Sequence, residues 1–160
     1  MIRSSSRPTL TTLTILVVLL TGFLVPYAMA QAKAPAKKAT VLKSVADLKW
    51  TDVPNVTGAQ QAVLWGNPQK GPSGFLVKFK AGTEVALHSH TADARSVVIS
   101  GTIVITVEGQ APKELGPGSY AYETGGSKHT TACKAGADCM FLVQAAGVFD
   151  VVMAGASGAK

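Results

Sequence analysis

The stretch "GTEVALHSHTADARSVVISG", Gly82 to Gly101, sets two of the chain's three histidines one residue apart inside an apolar run that otherwise reads as sheet core. Successive residues of a strand point to opposite sides. Along residues 83–90 that alternation gathers Glu84, Ala86, His88 and His90 on one face and Val85 and Leu87 on the other. The two imidazoles therefore project together. Glu84 shares their side, but four residues at ~3.3 Å each put it about 13 Å from His88, so it belongs at a rim and not at a common centre.

The same grain continues outward. From about Ala59 the chain is a series of short β-type runs, among them "AVLW", "FLVKFK", "EVALHSH", "RSVVISG", "TIVITVEG", "SYAYETGGS" and "MFLVQAAGVFDVVM", separated by Gly, Pro, Asn and Asp. Runs recurring roughly every 8 to 12 residues are the spacing of an all-β sandwich or barrel. A helical period is wanting except in "SVADLKW", where Ser44 is placed to cap one short turn. The chain reads as a single antiparallel β domain over residues 45–156.

Upstream, Arg3 and Arg7 lead into an apolar run from Leu10 to Val25, and "AMA" at Ala28–Ala30 supplies a small-x-small cleavage pattern. Residues 1–30 are expected to be a signal peptide. The run, broken by Thr14, Thr21 and Gly22, is short for a span of ~20 residues, so no stable membrane span is expected after cleavage. The mature chain is then periplasmic or secreted. Removing two of the 15 basic residues and none of the nine acidic ones lowers the formal charge from +6 to +4. Much of that charge lies in residues 31–44, "QAKAPAKKATVLK" and Ser44, an Ala/Lys/Pro segment with little to bury that reads as a flexible basic linker. Nowhere do basic and aromatic residues interleave as a nucleic-acid groove requires, so nucleic acid is excluded as a partner.

Cys133 and Cys139 flank "KAGAD", which reads as a hairpin loop across which the two sulfurs face each other. In an oxidising compartment a disulfide is the expected state. A redox-active pair is disfavoured, because the spacing is not C-x-x-C and no strand-to-helix junction follows.

The third histidine, His129, follows "LGPGSYAYETGGSK", where Gly125 and Gly126 allow a tight bend. Together the three histidines resemble the cupin family. Its first motif runs Gly, five residues, His-x-His, three or four residues, Glu, six residues, Gly; here stand Gly82, His88, His90, Ala94 and Gly101. Its second runs Gly, five residues, Pro-x-Gly, two residues, His, three residues, Asn; here stand Gly118, Thr124, Gly126, His129 and Cys133. The resemblance covers roughly Ala59 to Val152 and is nearest to small exported cupins and to the zinc-binding cupin domain of anti-sigma factors. It implies an all-β fold, a cupin-type antiparallel β-barrel (double-stranded β-helix, or jelly roll), with the site in its mouth. It also implies a divalent transition metal (Zn, Fe, Mn, Ni or Cu) held by His88, His90 and His129.

Three positions depart from the pattern: Ala94 for the metal-binding Glu, Thr124 for Pro, and Cys133 for Asn. The first is chemically serious, because three neutral imidazoles leave a bound dication its full charge and open positions for an anionic oxygen ligand. Asp93 is the nearest candidate to replace the carboxylate, provided that "TADA" is still loop. Arg95 is a candidate substrate contact, since guanidinium grips carboxylates in bidentate fashion. Tyr120 and Tyr122 share a face and are candidates to line the pocket, with ordinary core packing as the alternative.

Three functions fit these residues. One is a metal-dependent dioxygenase or other oxidoreductase acting on a small molecule, as three-histidine cupins that include thiol dioxygenases suggest. Another is a non-catalytic module that senses a metal or captures a small ligand. The third is an interaction domain with a vestigial pocket. The resemblance also implies a homodimer, and an open sheet edge gives a physical reason for one.

Overall fold

The computed structural model describes residues 39–155. The chain divides into Met1–Thr40 and Val41–Lys160. The expected signal peptide, residues 1–30, lies outside the described residues, as does the larger part of the 31–44 linker. Residues 41–44 are exposed and carry no regular structure. Among the described residues no helix is long and apolar enough to cross a membrane.

Ser44 donates from both its N–H and its hydroxyl to Asp47 Oδ2, closing the short 3-10 turn Val45–Asp47 that "SVADLKW" foreshadows. Thereafter the structure is strands: β1 (Thr51–Asp52), β2 (Ala59–Gly66), β3 (Ser73–Phe79), β4 (Glu84–Ser89), β5 (Ala94–Ser100), β6 (Ile103–Val107), β7 (Lys113–Leu115), β8 (Tyr120–Glu123), β9 (His129–Cys133), β10 (Cys139–Ala145) and β11 (Val152–Met153). They form a six-stranded sheet ordered β1-β2-β3-β10-β5-β8 and a five-stranded sheet ordered β11-β4-β9-β6-β7. Every pairing is antiparallel. From β3 onward the chain changes sheet at every connection except that from β6 to β7, which is the jelly-roll arrangement that closes two sheets over one core.

The inward positions of both sheets supply that core. Phe75, Val77 and Phe79 of β3, Val98 of β5 and Phe141 and Val143 of β10 line the six-stranded sheet's side of it, and Ile103 and Ile105 of β6 the five-stranded sheet's side, all buried. Phe79 and Phe141 meet edge to face with centroids 5.3 Å apart, the geometry ring quadrupoles favour.

Strict alternation fails in one strand, and the failure bears on the site. Val85 pairs with Thr131 and His88 with His129, so three steps of β4 oppose two of β9. The extra residue is a bulge. It turns Val85 and His88 to the same interior side while Glu84 and Ala86 face solvent. The regular strand read from the sequence had placed Val85 opposite the histidines.

A second correction concerns "KAGAD", which is not a hairpin loop. β9 belongs to the five-stranded sheet and β10 to the six-stranded one, so this loop crosses between them. Cys133 and Cys139 are bonded to each other, buried, and tie the two sheets together. The run "MFLVQAAGVFDVVM" likewise divides, with β10 in one sheet and β11 beside β4 in the other.

The four motif glycines, Gly82, Gly101, Gly118 and Gly126, all have φ between 73° and 83°. Gly101 shows the need most sharply. A Cβ there would lie 2.7 Å from the Asp138 carbonyl oxygen and 2.8 Å from the Cys139 sulfur, in a conformation that other residues resist.

Candidate metal centre

His88 and His90 come from the end of β4, and His129 opens β9 directly opposite His88. All three are buried, between 1% and 7% exposed. One ring nitrogen of each lies within 4.8 Å of one from each of the others. Ring centroids are 4.3 Å apart for His88 and His129, 5.0 Å for His88 and His90, and 5.2 Å for His90 and His129.

Backbone carbonyls fix which nitrogen faces the centre. Nδ1 of His88 lies 2.8 Å from the Ala86 carbonyl, that of His90 2.6 Å from the Asp150 carbonyl, and that of His129 3.0 Å from the Ser127 carbonyl. A carbonyl only accepts, so the hydrogen-bond network assigns the proton to each Nδ1 and leaves each Nε2 lone pair free. A partner of this kind on the far nitrogen is what orients histidines that bind metals. Burial pushes the His88 pKa down to about 4, and the neighbouring imidazoles add to that effect. Burial lowers His90 as well. Both rings therefore rest neutral at pH 7, the form that coordinates.

Beside the trio stands a residue that sequence reading missed. Glu123 closes β8, and its Oε1 lies 3.3 Å from His129 Nε2. That separation suits an ion pair, yet the buried His129 Nε2 has no hydrogen-bond partner. The two observations agree once the tautomer is considered: with the proton on Nδ1, both facing atoms are acceptors. Two acceptors sharing one cation at ~2.0–2.2 Å each in tetrahedral geometry stand about 3.3 to 3.5 Å apart. The residues present thus fit a divalent transition ion. A signal for Glu123 did exist, because alternation that puts Tyr120 and Tyr122 on one face puts Ala121 and Glu123 on the other.

The centre opens into the barrel. A cavity of about 90 Å³ is bounded by His88, His90 and Glu123 at the polar end and by Phe75, Phe141 and Phe149 among others along its apolar wall. It is several times smaller than the ~300 Å³ at which pockets for drug-sized ligands begin. A larger groove of about 780 Å³, around Asn55, Lys78 and Met140, includes none of the histidines, and its Lys80 is already paired with Asp138 at 2.9 Å.

One further segment supports the site without having been legible beforehand. Phe149 stacks on His90 with centroids 4.4 Å apart and meets Phe75 edge to face. Asp150 holds His90 through its carbonyl and the next residue through its carboxylate, which accepts from the Thr91 N–H and hydroxyl at 2.7 and 2.6 Å.

The other sequence candidates assemble elsewhere. Asp93 accepts from the Tyr122 hydroxyl at 2.7 Å and from the Gly125 N–H at 2.9 Å, and these bonds hold its carboxyl below the usual range. Its oxygens are committed there, so the carboxylate beside the imidazoles is Glu123 and not Asp93. Arg95 lies over the Tyr122 ring, 4.9 Å from the centroid. Tyr120 and Tyr122 are 57% and 47% exposed on the outer face of the six-stranded sheet, neither in the core nor on the cavity wall. Cys133, buried on β9, is held in its disulfide and so offers no thiolate to the centre.

Two antiparallel sheets joined in a jelly roll, with a His-x-His pair and a third histidine converging inside it, define a cupin. The chain belongs to the ChrR cupin-like domain family, whose description matches residues 38–148. Solved structures share the fold. The polyketide cyclase RemF from Streptomyces resistomycificus is 21% identical with a TM-score of 0.61, over 71% of this chain and 85% of that one. The DMSP lyase DddQ from Ruegeria pomeroyi is 21% identical with a TM-score of 0.59, over 71% and 64%. The anti-sigma factor ChrR of Rhodobacter sphaeroides, in its complex with SigE, gives 21% identity and a TM-score of 0.51, over 64% and 50%. A comparison with curated protein sequences finds no match.

Proposed function

We propose that this chain is an exported cupin that holds one divalent transition ion on His88, His90 and His129 and presents it to a small, oxygen-bearing molecule. The observation that carries the reading is the shared arrangement of the three rings. Each donates Nδ1–H to a backbone carbonyl, which leaves each Nε2 lone pair free, and one nitrogen of each ring lies within 4.8 Å of the others. A barrel that had lost its metal chemistry would have no need to hold three buried imidazoles in one tautomer. Bound there, the ion would supply Lewis acidity and open coordination positions.

The chain's own residues do the rest. The apolar wall excludes bulk water and limits the ligand to a few non-hydrogen atoms, given about 90 Å³. Phe149 braces His90, and the Asp150 segment closes one side. The disulfide suits a chain that matures outside the cytoplasm. Oxidative turnover of the bound molecule is the finer form of this proposal; capture or sensing without turnover is the second reading, favoured by the match to the ChrR cupin-like domain, since ChrR is an anti-sigma factor.

Elemental analysis of protein purified without a histidine tag tests the metal directly. About one transition ion per chain is expected, and none in His88→Ala with the β fold retained by circular dichroism. A metal-free wild type that takes up no ion on titration would end the reading. Oxygen consumption with thiols, phenols and diketones then separates turnover from capture.

A further inference from the structure

We propose that Glu123 provides the carboxylate of this centre, from the strand opposite the position where the cupin pattern places its Glu. The inference rests on the metal-binding reading above and deepens it.

Register makes the exchange geometrically simple. Ala94 and Glu123 are direct partners across β5 and β8. Facing positions of an antiparallel pair have Cβ atoms about 4.5 to 5.5 Å apart, so a carboxylate on either strand reaches much the same volume. Ala94 is 1% exposed and points inward, and the methyl in place of a longer side chain leaves the space beside it to Glu123.

Glu123 also lacks any other employment. Its side chain is 16% exposed, and among the described residues no lysine or arginine pairs with it. No hydrogen bond reaches its carboxylate among them either, whereas Asp93, Asp138 and Asp150 each accept two. A largely buried carboxylate with neither cation nor donor is costly. At 3.3 Å from its Oε1 lies His129 Nε2, itself unpartnered and an acceptor. A dication between them satisfies both atoms at once. The carboxylate borders the same cavity as His88 and His90.

A merely structural glutamate, placed to hydrogen-bond a protonated His129, makes a different prediction, and metal affinity distinguishes the two. Zinc and cobalt(II) are titrated into chelator-stripped, tag-free full chain against a chromogenic chelator, and the cobalt d–d spectrum is recorded. Glu123→Gln keeps size and shape but removes the charge; it is expected to weaken both ions at least tenfold and to alter the cobalt spectrum, as is Glu123→Ala. Ala94→Glu combined with Glu123→Ala returns the carboxylate to the motif strand and is expected to recover most of the lost affinity. Wild-type affinity and spectrum in Glu123→Gln, with binding abolished in His88→Ala, would overturn the role of Glu123 and leave the histidine centre standing. A folded double variant that binds no better than Glu123→Ala would overturn the exchange between strands. Failure of the wild type to bind either ion would remove both proposals together.

Discussion

Acidification of the metal-free protein should unfold it through His88, and the size of the effect follows from burial. His88 is 3% exposed, and its pKa falls from 6.5 to about 4 on folding. The folded state therefore disfavours the proton that the unfolded chain accepts. Stability is fully present above pH 6.5 and is lost as the pH falls from 6.5 toward 4. At about 1.4 kcal/mol per unit, the linkage integrated between pH 7.5 and pH 4.5 amounts to ~2.5 kcal/mol for this ring. A charged imidazole would draw water into the cavity and recover part of that, so about 2 kcal/mol is expected. The assay is urea unfolding, followed by circular dichroism in the presence of a chelator, of wild type and His88→Gln at both pH values. Glutamine does not titrate, so the variant should lose about 2 kcal/mol less than wild type on acidification. Equal losses in the two proteins would refute the claim that His88 is held neutral by burial.

Reduction of the Cys133–Cys139 bond frees a loop with a sequence separation of 6, and should cost about 2 kcal/mol, read as a lower urea midpoint in the presence of reductant. Asp150→Ala removes the acceptor for the Thr91 N–H and hydroxyl next to His90; metal affinity should fall about tenfold in chelator competition, with the far-ultraviolet spectrum unchanged. Asp93→Ala, by contrast, should leave metal affinity within twofold of wild type, because its carboxylate is engaged with Tyr122 and Gly125; a tenfold loss would return Asp93 to the site.

The sequence disclosed those parts of the fold that depend on composition and short period. Apolar content in "FLVKFK" and alternation in "TIVITVEG", together with Gly and Pro between runs, mark β3, which is buried along nearly its whole length, and β6, which buries alternate residues. The histidine trio was visible because spacing in two separate motifs matched at once. What escaped depends on pairing across the chain. Glu123 matters because Ala94 lies opposite it, a relation that no local window contains. The disulfide was expected, but its job of joining two sheets was not, since "KAGAD" looks the same as a hairpin turn and as a crossover. Phe149 and Asp150 were hidden inside an apolar run whose break is set by β11 joining β4.

The bulge in β4 has an electrostatic consequence. Had the strand run regularly, Glu84 would have turned to the histidine side at the barrel's rim, a second acid near the mouth; the extra residue leaves it on the outside. Among the described residues, Glu123 is then the one acidic side chain bordering the cavity. A dication held there as proposed, balanced by one carboxylate and three uncharged rings, would retain a net single positive charge, so the guest that would best neutralise this interior is a monoanion.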